Sequence, residues 1–544
     1  MTGHGHWRRR AVLKLGVGGI AIAAVPALSA PVRTDIVTVT GGQVEGTATR
    51  TAGVRAWLGI PYAAPPVGPL RWRAPQPVVP WSGVRPATRF SKSPWAPPER
   101  EHSVFGAAPS DMDEDCLTIN VWAPSPGKKL LPVLVWIYGG AFVSGSSNYP
   151  HYRGENLATE GIVFVSLNYR VGMLGFFAHP ELRAESPGGL SGNYGLMDQV
   201  AALQWVRDNI AAFGGDPAQV TIAGQSAGAF SVAYHMVMPA SRGLFHGAIA
   251  ESGAPMGKPS SYILLGELEP MEKDGVAFAE KLHATRLHEL RALSPAALVK
   301  AYEGSWLFYP AVDGKVVPDQ PFALMRRGQH ANVPLIAGFN HNEGEAFRSL
   351  GDTVAELNAT LEDIYGPHAG AARELFAVTN DAQAVAAGRA VFGDKVFNWN
   401  TAALTTVQAR YGTAPAYMYH FAYAHALPAQ TVFAEGKGRD LGAYHAAEIP
   451  YALKNLGSRP WQATMEQMKL MRQVSSYWVN FTKTGNPNAP SLPKWPRYVP
   501  DEPTVLRMDV GAFSTVDLPF RERLELMGAA MDNDILVRKQ RGAA

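Results

Sequence analysis

The chain has 544 residues, of which 47% are apolar, 10% aromatic and 17% charged, a mix that excludes a disordered chain, while the lack of any short period excludes collagen and coiled coils. Lys and Arg number 49 against 46 Asp and Glu, and a net charge of +3 over so large a surface gives no electrostatic footprint for nucleic acid. The single cysteine, Cys116, excludes an intramolecular disulfide and any cysteine-built zinc or iron–sulfur centre.

In chain order, the first feature is a targeting pattern. Arg9-Arg10-Ala11-Val12-Leu13-Lys14 resembles a twin-arginine export signal, residues 15–24 form a weakly apolar run, and Ala27-Leu28-Ser29 offers small residues for cleavage before Ala30. The run is shorter than the ~20 residues a membrane-spanning helix needs, and no later segment is long and apolar enough to span a bilayer. Residues 1–29 are therefore expected to be a leader. Residues 30–544 are expected to form one soluble, exported domain, periplasmic or secreted.

Residues 133–138 and 162–167 read as continuous apolar strands, the mark of parallel strands covered on both faces. Residues 196–213 carry Val200, Leu203, Val206 and Ile210 at helical spacing and stop at Gly214-Gly215. Residues 220–223 form the next strand, followed by a glycine turn and a helix through Met238; residues 333–337 and 416–421 supply two more strands. Strand and helix in alternation predict an α/β fold with a mostly parallel, doubly wound sheet. The stretch from about 253 to 332 is mostly helical in pattern and is expected to cap the sheet.

Gly224-Gln225-Ser226-Ala227-Gly228 sits between a predicted strand and a predicted helix, the one context in which G-x-S-x-G marks a nucleophile turn. A serine hydroxyl needs a base, and the base needs an acid to orient it. Glu343 directly follows the strand at 333–337, and His445 lies beyond the strand at 416–421. The order is that of such enzymes, although His420 and His425 also fit by position, and His341 stands only two residues from Glu343. Gly139 and Gly140 follow the strand at 133–138; with the N–H of Ala227 they would supply oxyanion donors.

These residues resemble the type-B carboxylesterase family, which includes para-nitrobenzyl esterases and cholinesterases. The matching stretches run from Leu58-Gly-Ile-Pro-Tyr-Ala-Ala-Pro-Pro-Val-Gly-Pro-Leu-Arg-Trp72 through Glu114-Asp-Cys-Leu-Thr-Ile-Asn-Val-Trp122, Asn168-Tyr-Arg-Val-Gly-Met-Leu-Gly-Phe176 and Asn193-Tyr-Gly-Leu-Met-Asp-Gln199 to Tyr477-Trp-Val-Asn-Phe481 and Thr484-Gly-Asn-Pro-Asn488. The resemblance implies an α/β-hydrolase fold, places the catalytic serine, glutamate and histidine on Ser226, Glu343 and His445, and implies no metal or organic cofactor. Three departures stand out. Gln225 replaces the family's usual glutamate, Ala141 stands where many relatives have a third glycine, and Cys116 matches a cysteine that is often bridged, so its loop is expected to be held by packing alone.

The activity implied is hydrolysis of a small-molecule carboxylic ester through an acyl-enzyme. A specialist that removes side-chain esters from a natural product, including polycarboxylate esters of fumonisin-type mycotoxins, is a second expectation, and a non-catalytic binding scaffold is a third. Arg326, Arg327 and Arg348 are basic residues that could meet an acidic substrate, or simply lie at the surface.

Overall fold

The computed structural model describes residues 35–536 except 99, 101–102, 107–110, 126, 128, 261–262, 306, 426–432, 436–439, 460–461 and 534. The leader expected at 1–29 lies outside the described residues.

An eleven-stranded sheet organises the chain. Its strands are β1 (Thr47–Ala48), β2 (Val54–Pro61), β3 (Thr118–Pro124), β4 (Leu131–Ile137), β5 (Val163–Leu167), β6 (Gly215–Gln225), β7 (Gly247–Glu251), β8 (Leu335–Asn340), β9 (Ala416–Phe421), β10 (Thr504–Met508) and β11 (Ser514–Asp517). They lie in the order β11-β10-β9-β8-β7-β6-β4-β5-β3-β2-β1. From β10 to β5 every neighbouring pair is parallel; β11 at one edge and β3, β2 and β1 at the other pair antiparallel. The expected mostly parallel α/β sheet is what forms, with antiparallel margins.

The five strands read from sequence are β4, β5, β6, β8 and β9. β5 is buried at every position, as a strand covered on both faces must be. The amphipathic stretch at 196–213 forms an α-helix, α1 (Tyr194–Asn209), whose last turn tightens into 3₁₀ geometry over Ile210–Phe213 and closes on left-handed Gly214 (φ 87°). The helix after β6, α2 (Ala227–Val237), is buried along its whole length and packs against β4, β6 and β7. A long helix near the chain's end, α3 (Met465–Thr484), opens with a Thr464–Gln467 capping box and packs on β4 and β6. No helix among the described residues is long and apolar enough to cross a membrane.

The segment 253–332 is less helical than expected: helices form at Leu268–Lys281, Leu287–Ala292, Pro295–Tyr302 and Pro321–Arg326, and loops, turns and a short parallel pair of Gly266–Glu267 with Ala311–Val312 make up most of the rest. Phe278, Tyr302 and Phe308 pack together, with Phe308 edge-on to Phe177, so the segment docks through an aromatic cluster.

Candidate active site

Strand β6 ends at Gln225 and helix α2 begins at Ala227, which leaves Ser226 alone at the corner. Its backbone has φ 56° and ψ −127°, a conformation that costs a residue with a side chain on the order of 1–3 kcal/mol. Two hydrogen bonds hold it there. The Ser226 N–H donates to the Glu251 carbonyl at the end of β7 (2.8 Å), and the Phe230 N–H donates to the Ser226 carbonyl (2.9 Å). The flanking glycines follow from the tightness of this corner: a Cβ on Gly224 would stand 2.5 Å from the Gly228 carbonyl carbon.

The loop after β4 passes just as close. A Cβ on Gly139 would stand 2.5 Å from the Gln225 carbonyl oxygen and 2.9 Å from the Ser226 Cβ, so only glycine brings this backbone against the serine. Gly140 is left-handed (φ 118°), as are Ala141 (54°) and Phe142 (61°), and the Gly140 carbonyl accepts from Val143 and Ser144 N–H at 2.9 and 3.0 Å. Among the described residues the loop, turn and cap hydrogen bonds engage none of the N–H groups of Gly139, Gly140 and Ala227.

Glu343 and His445 meet because their loops pair. Asn342 N–H donates to the Ala443 carbonyl (2.9 Å), and Ala443 N–H returns a bond to Asn342 Oδ1 (3.0 Å). That clamp brings His445 Nδ1 to 2.5 Å from Glu343 Oε2. The other carboxylate oxygen, Oε1, accepts from Asn340 N–H and Ser252 Oγ, both at 2.6 Å. The glutamate is thus aimed from three sides, and both it and the histidine are almost wholly buried. An ionised carboxylate only accepts, so Nδ1 carries the imidazole proton and Nε2 presents a lone pair. In the resting structure that lone pair meets the Gln225 amide, with Nε2 to Nε2 at 3.1 Å. Phe397 stacks on the imidazole with centroids 4.0 Å apart, and Phe347 and Phe105 close its other sides.

Ser226, His445, Gln225, Gly139, Gly140 and Ala141 all line one cavity of about 650 Å³. No residue of the segment 253–332 is among the described residues that line it.

A model of the carboxylesterase family matches residues 33–526. The chain belongs to that family. It is 36% identical to the fumonisin B1 esterase of Sphingopyxis macrogoltabida over 473 residues, 84% of this chain and 83% of the other. It is 35% identical to the para-nitrobenzyl esterase of Bacillus subtilis (strain 168) over 487 residues, 87% of this chain and 94% of the other. Among solved structures it resembles a PNB esterase with a TM-score of 0.77 at 33% identity, covering 91% of this chain and 100% of that one. The protein is therefore an α/β ester hydrolase of the carboxylesterase family.

The rival histidines of this carboxylesterase lie elsewhere. His420 is inside β9, 3.3 Å from His341, and burial pushes its pKa down to about 3. His425 contacts Tyr451, and burial likewise lowers it to about 3. Of the three basic residues singled out in the sequence, Arg348 lines the cavity, whereas Arg327 pairs with Asp319 and Arg326 lies over Phe322.

One expectation is corrected. The Cys116 loop is held by more than packing: Arg71 makes two parallel bonds of 2.6 Å to Glu114, and its third nitrogen reaches the Arg291 and Leu293 carbonyls. Cys116 itself is a buried free thiol whose pKa burial pushes well up.

The sequence reading also missed a carboxylate layer beneath Glu343. Ser252 Oγ, which donates to Glu343, lies 3.5 Å from Glu448 Oε1, and Asn340 Nδ2 donates to Glu448 Oε2 at 2.5 Å. Burial first, then Glu251 and Glu343, raise the Glu448 pKa well above its ordinary value. Burial also pushes Glu251 up to about 8, against the smaller opposing effect of the Trp478 indole N–H that donates to it. Glu448 was in view, three residues after His445; nothing in one sequence marks it as buried.

Proposed function

We propose that this ester hydrolase works through Ser226 as nucleophile, His445 as base and Glu343 as its orienting acid, with Gly139, Gly140 and Ala227 as oxyanion donors. The observation that carries the reading is the 2.5 Å contact of His445 Nδ1 with Glu343 Oε2, opening onto the same cavity as Ser226 and the two glycines. Substrate entry displaces the Gln225 amide from Nε2, and the freed lone pair takes the Ser226 proton as Oγ attacks the ester carbonyl. Glu343 stabilises the imidazolium that forms, and the backbone N–H groups stabilise the tetrahedral oxyanion. His445 then gives its proton to the departing alcohol, and a water activated by the same nitrogen releases the acid.

Ser226→Ala is expected to lower turnover of p-nitrophenyl acetate by more than about a thousandfold and to abolish labelling by a fluorophosphonate. Retained labelling at another residue, or activity within tenfold of the parent, would remove Ser226 from this role.

A further inference from the structure

The cavity has a charge of its own. Among the described residues, Arg100, Arg348, Arg389 and Arg459 line it, against one carboxylate, Glu435. The chain as a whole is balanced, with 49 basic and 46 acidic side chains, so the excess is local to the concave site. The four arginines come from four separate stretches of sequence and meet only in the fold.

They sit close to the chemistry. Arg348 follows Phe347, whose ring centroid is 5.3 Å from that of His445. Arg389 packs its backbone against Gly344, the residue after Glu343. Its guanidinium stands 3.6 Å from Glu345 in a loose pair, and its Nε is buried with no hydrogen-bond partner among the described residues. Arg459 donates to the Val104 carbonyl (3.1 Å), next to Phe105, which also faces His445. Glu435, the acid among the described lining residues, already accepts from Ser103 Oγ and Val104 N–H, each at 2.9 Å.

Guanidinium groups bind carboxylates through paired N–H donors, and a concave site of one sign concentrates ligands of the other. A neutral ester has no use for such a lining. We infer that the site selects an ester that carries a second, free carboxylate, held by Arg348 and Arg389 while the ester carbonyl lies at Ser226. The inference rests on the Ser226 reading above.

The test compares ethyl hydrogen adipate with ethyl hexanoate, and 4-acetoxybutyrate with pentyl acetate, so that the free carboxylate is on the acyl side in one pair and on the alcohol side in the other. The anionic member of at least one pair is expected to show a kcat/KM about tenfold or more above its neutral partner. That ratio is expected to fall as salt rises from 0.02 to about 0.5 M. In Arg348→Gln and in Arg389→Gln the ratio is expected to drop about tenfold, mainly through KM, with partial recovery in Arg348→Lys. Should a variant fail to fold, inhibition of the parent enzyme by free adipate, weakened by salt, reads the same site. Neutral esters turned over as well as anionic ones in both pairs, or ratios indifferent to salt, would overturn the inference while leaving Ser226 in place. Hydrolysis that survives Ser226→Ala would overturn the underlying reading instead.

Discussion

At the scale of single residues, Gln225 separates this site from one with the family's usual glutamate. Its amide nitrogen is 3.1 Å from His445 Nε2 and places no charge beside the ring. A carboxylate in the same place would favour the imidazolium. With His445 as the proposed base, Gln225→Glu is expected to move the acid limb of the kcat/KM profile to higher pH. Stopped assays from pH 5 to 9 would read it, and superimposable profiles would mean the side chain at 225 does not feel the imidazolium. The residue types were legible before the fold. The partner was not: three other histidines satisfied the spacing argument or stood near Glu343, and only the Asn342–Ala443 clamp brings His445 to the glutamate.

At the scale of elements, most of what was read correctly rests on local chemistry. Runs of aliphatic, β-branched and aromatic residues gave β4, β5, β6, β8 and β9, and 3.6-residue spacing gave α1. Strand β7 was missed because Gly-Ala-Ile-Ala-Glu has little intrinsic preference for a strand; it is a strand because β6 and β8 pair with it on both sides. The same strand end supplies the Glu251 carbonyl that holds Ser226. The Cys116 loop teaches a similar lesson, since a buried ion pair between Arg71 and Glu114, far apart in sequence, helps to hold it. Both side chains are under 10% exposed, so removing one leaves the other charged and buried. Arg71→Ala is expected to cost about 3–5 kcal/mol in chemical denaturation, and the double variant Arg71→Ala/Glu114→Leu less than the single one. A double variant worse than the single would mean that packing around Arg71, and not the orphaned charge, sets the loss.

At the scale of the whole molecule, the buried carboxylates couple stability to pH. Glu251 has its pKa raised from an ordinary 4.5 to about 8. Between those values the folded state keeps a proton that the unfolded chain has already released, so this group makes the protein less stable as pH rises through that window. Glu448 is shifted in the same direction and adds to the trend. Glu251→Gln, which retains an acceptor for the Trp478 N–H, is expected to lose less melting temperature between pH 5 and 8 than the parent; parallel curves would show that Glu251 ionises normally. None of this is visible along the chain, because burial is a property of the assembled core. Sequence alone determined what depends on neighbours within a few residues: the parallel strands, the strand–Gly-x-Ser-x-Gly–helix corner, the glycine pair after β4 and the order of serine, acid and histidine. Tertiary structure decided which histidine meets Glu343, that the acid's second oxygen is held by Ser252 and Asn340, and that four arginines distant in sequence face one cavity. Strand and turn preferences act between near neighbours and leave their mark in the order of residues, whereas desolvation, ion pairing and the convergence of loops act across space and leave none.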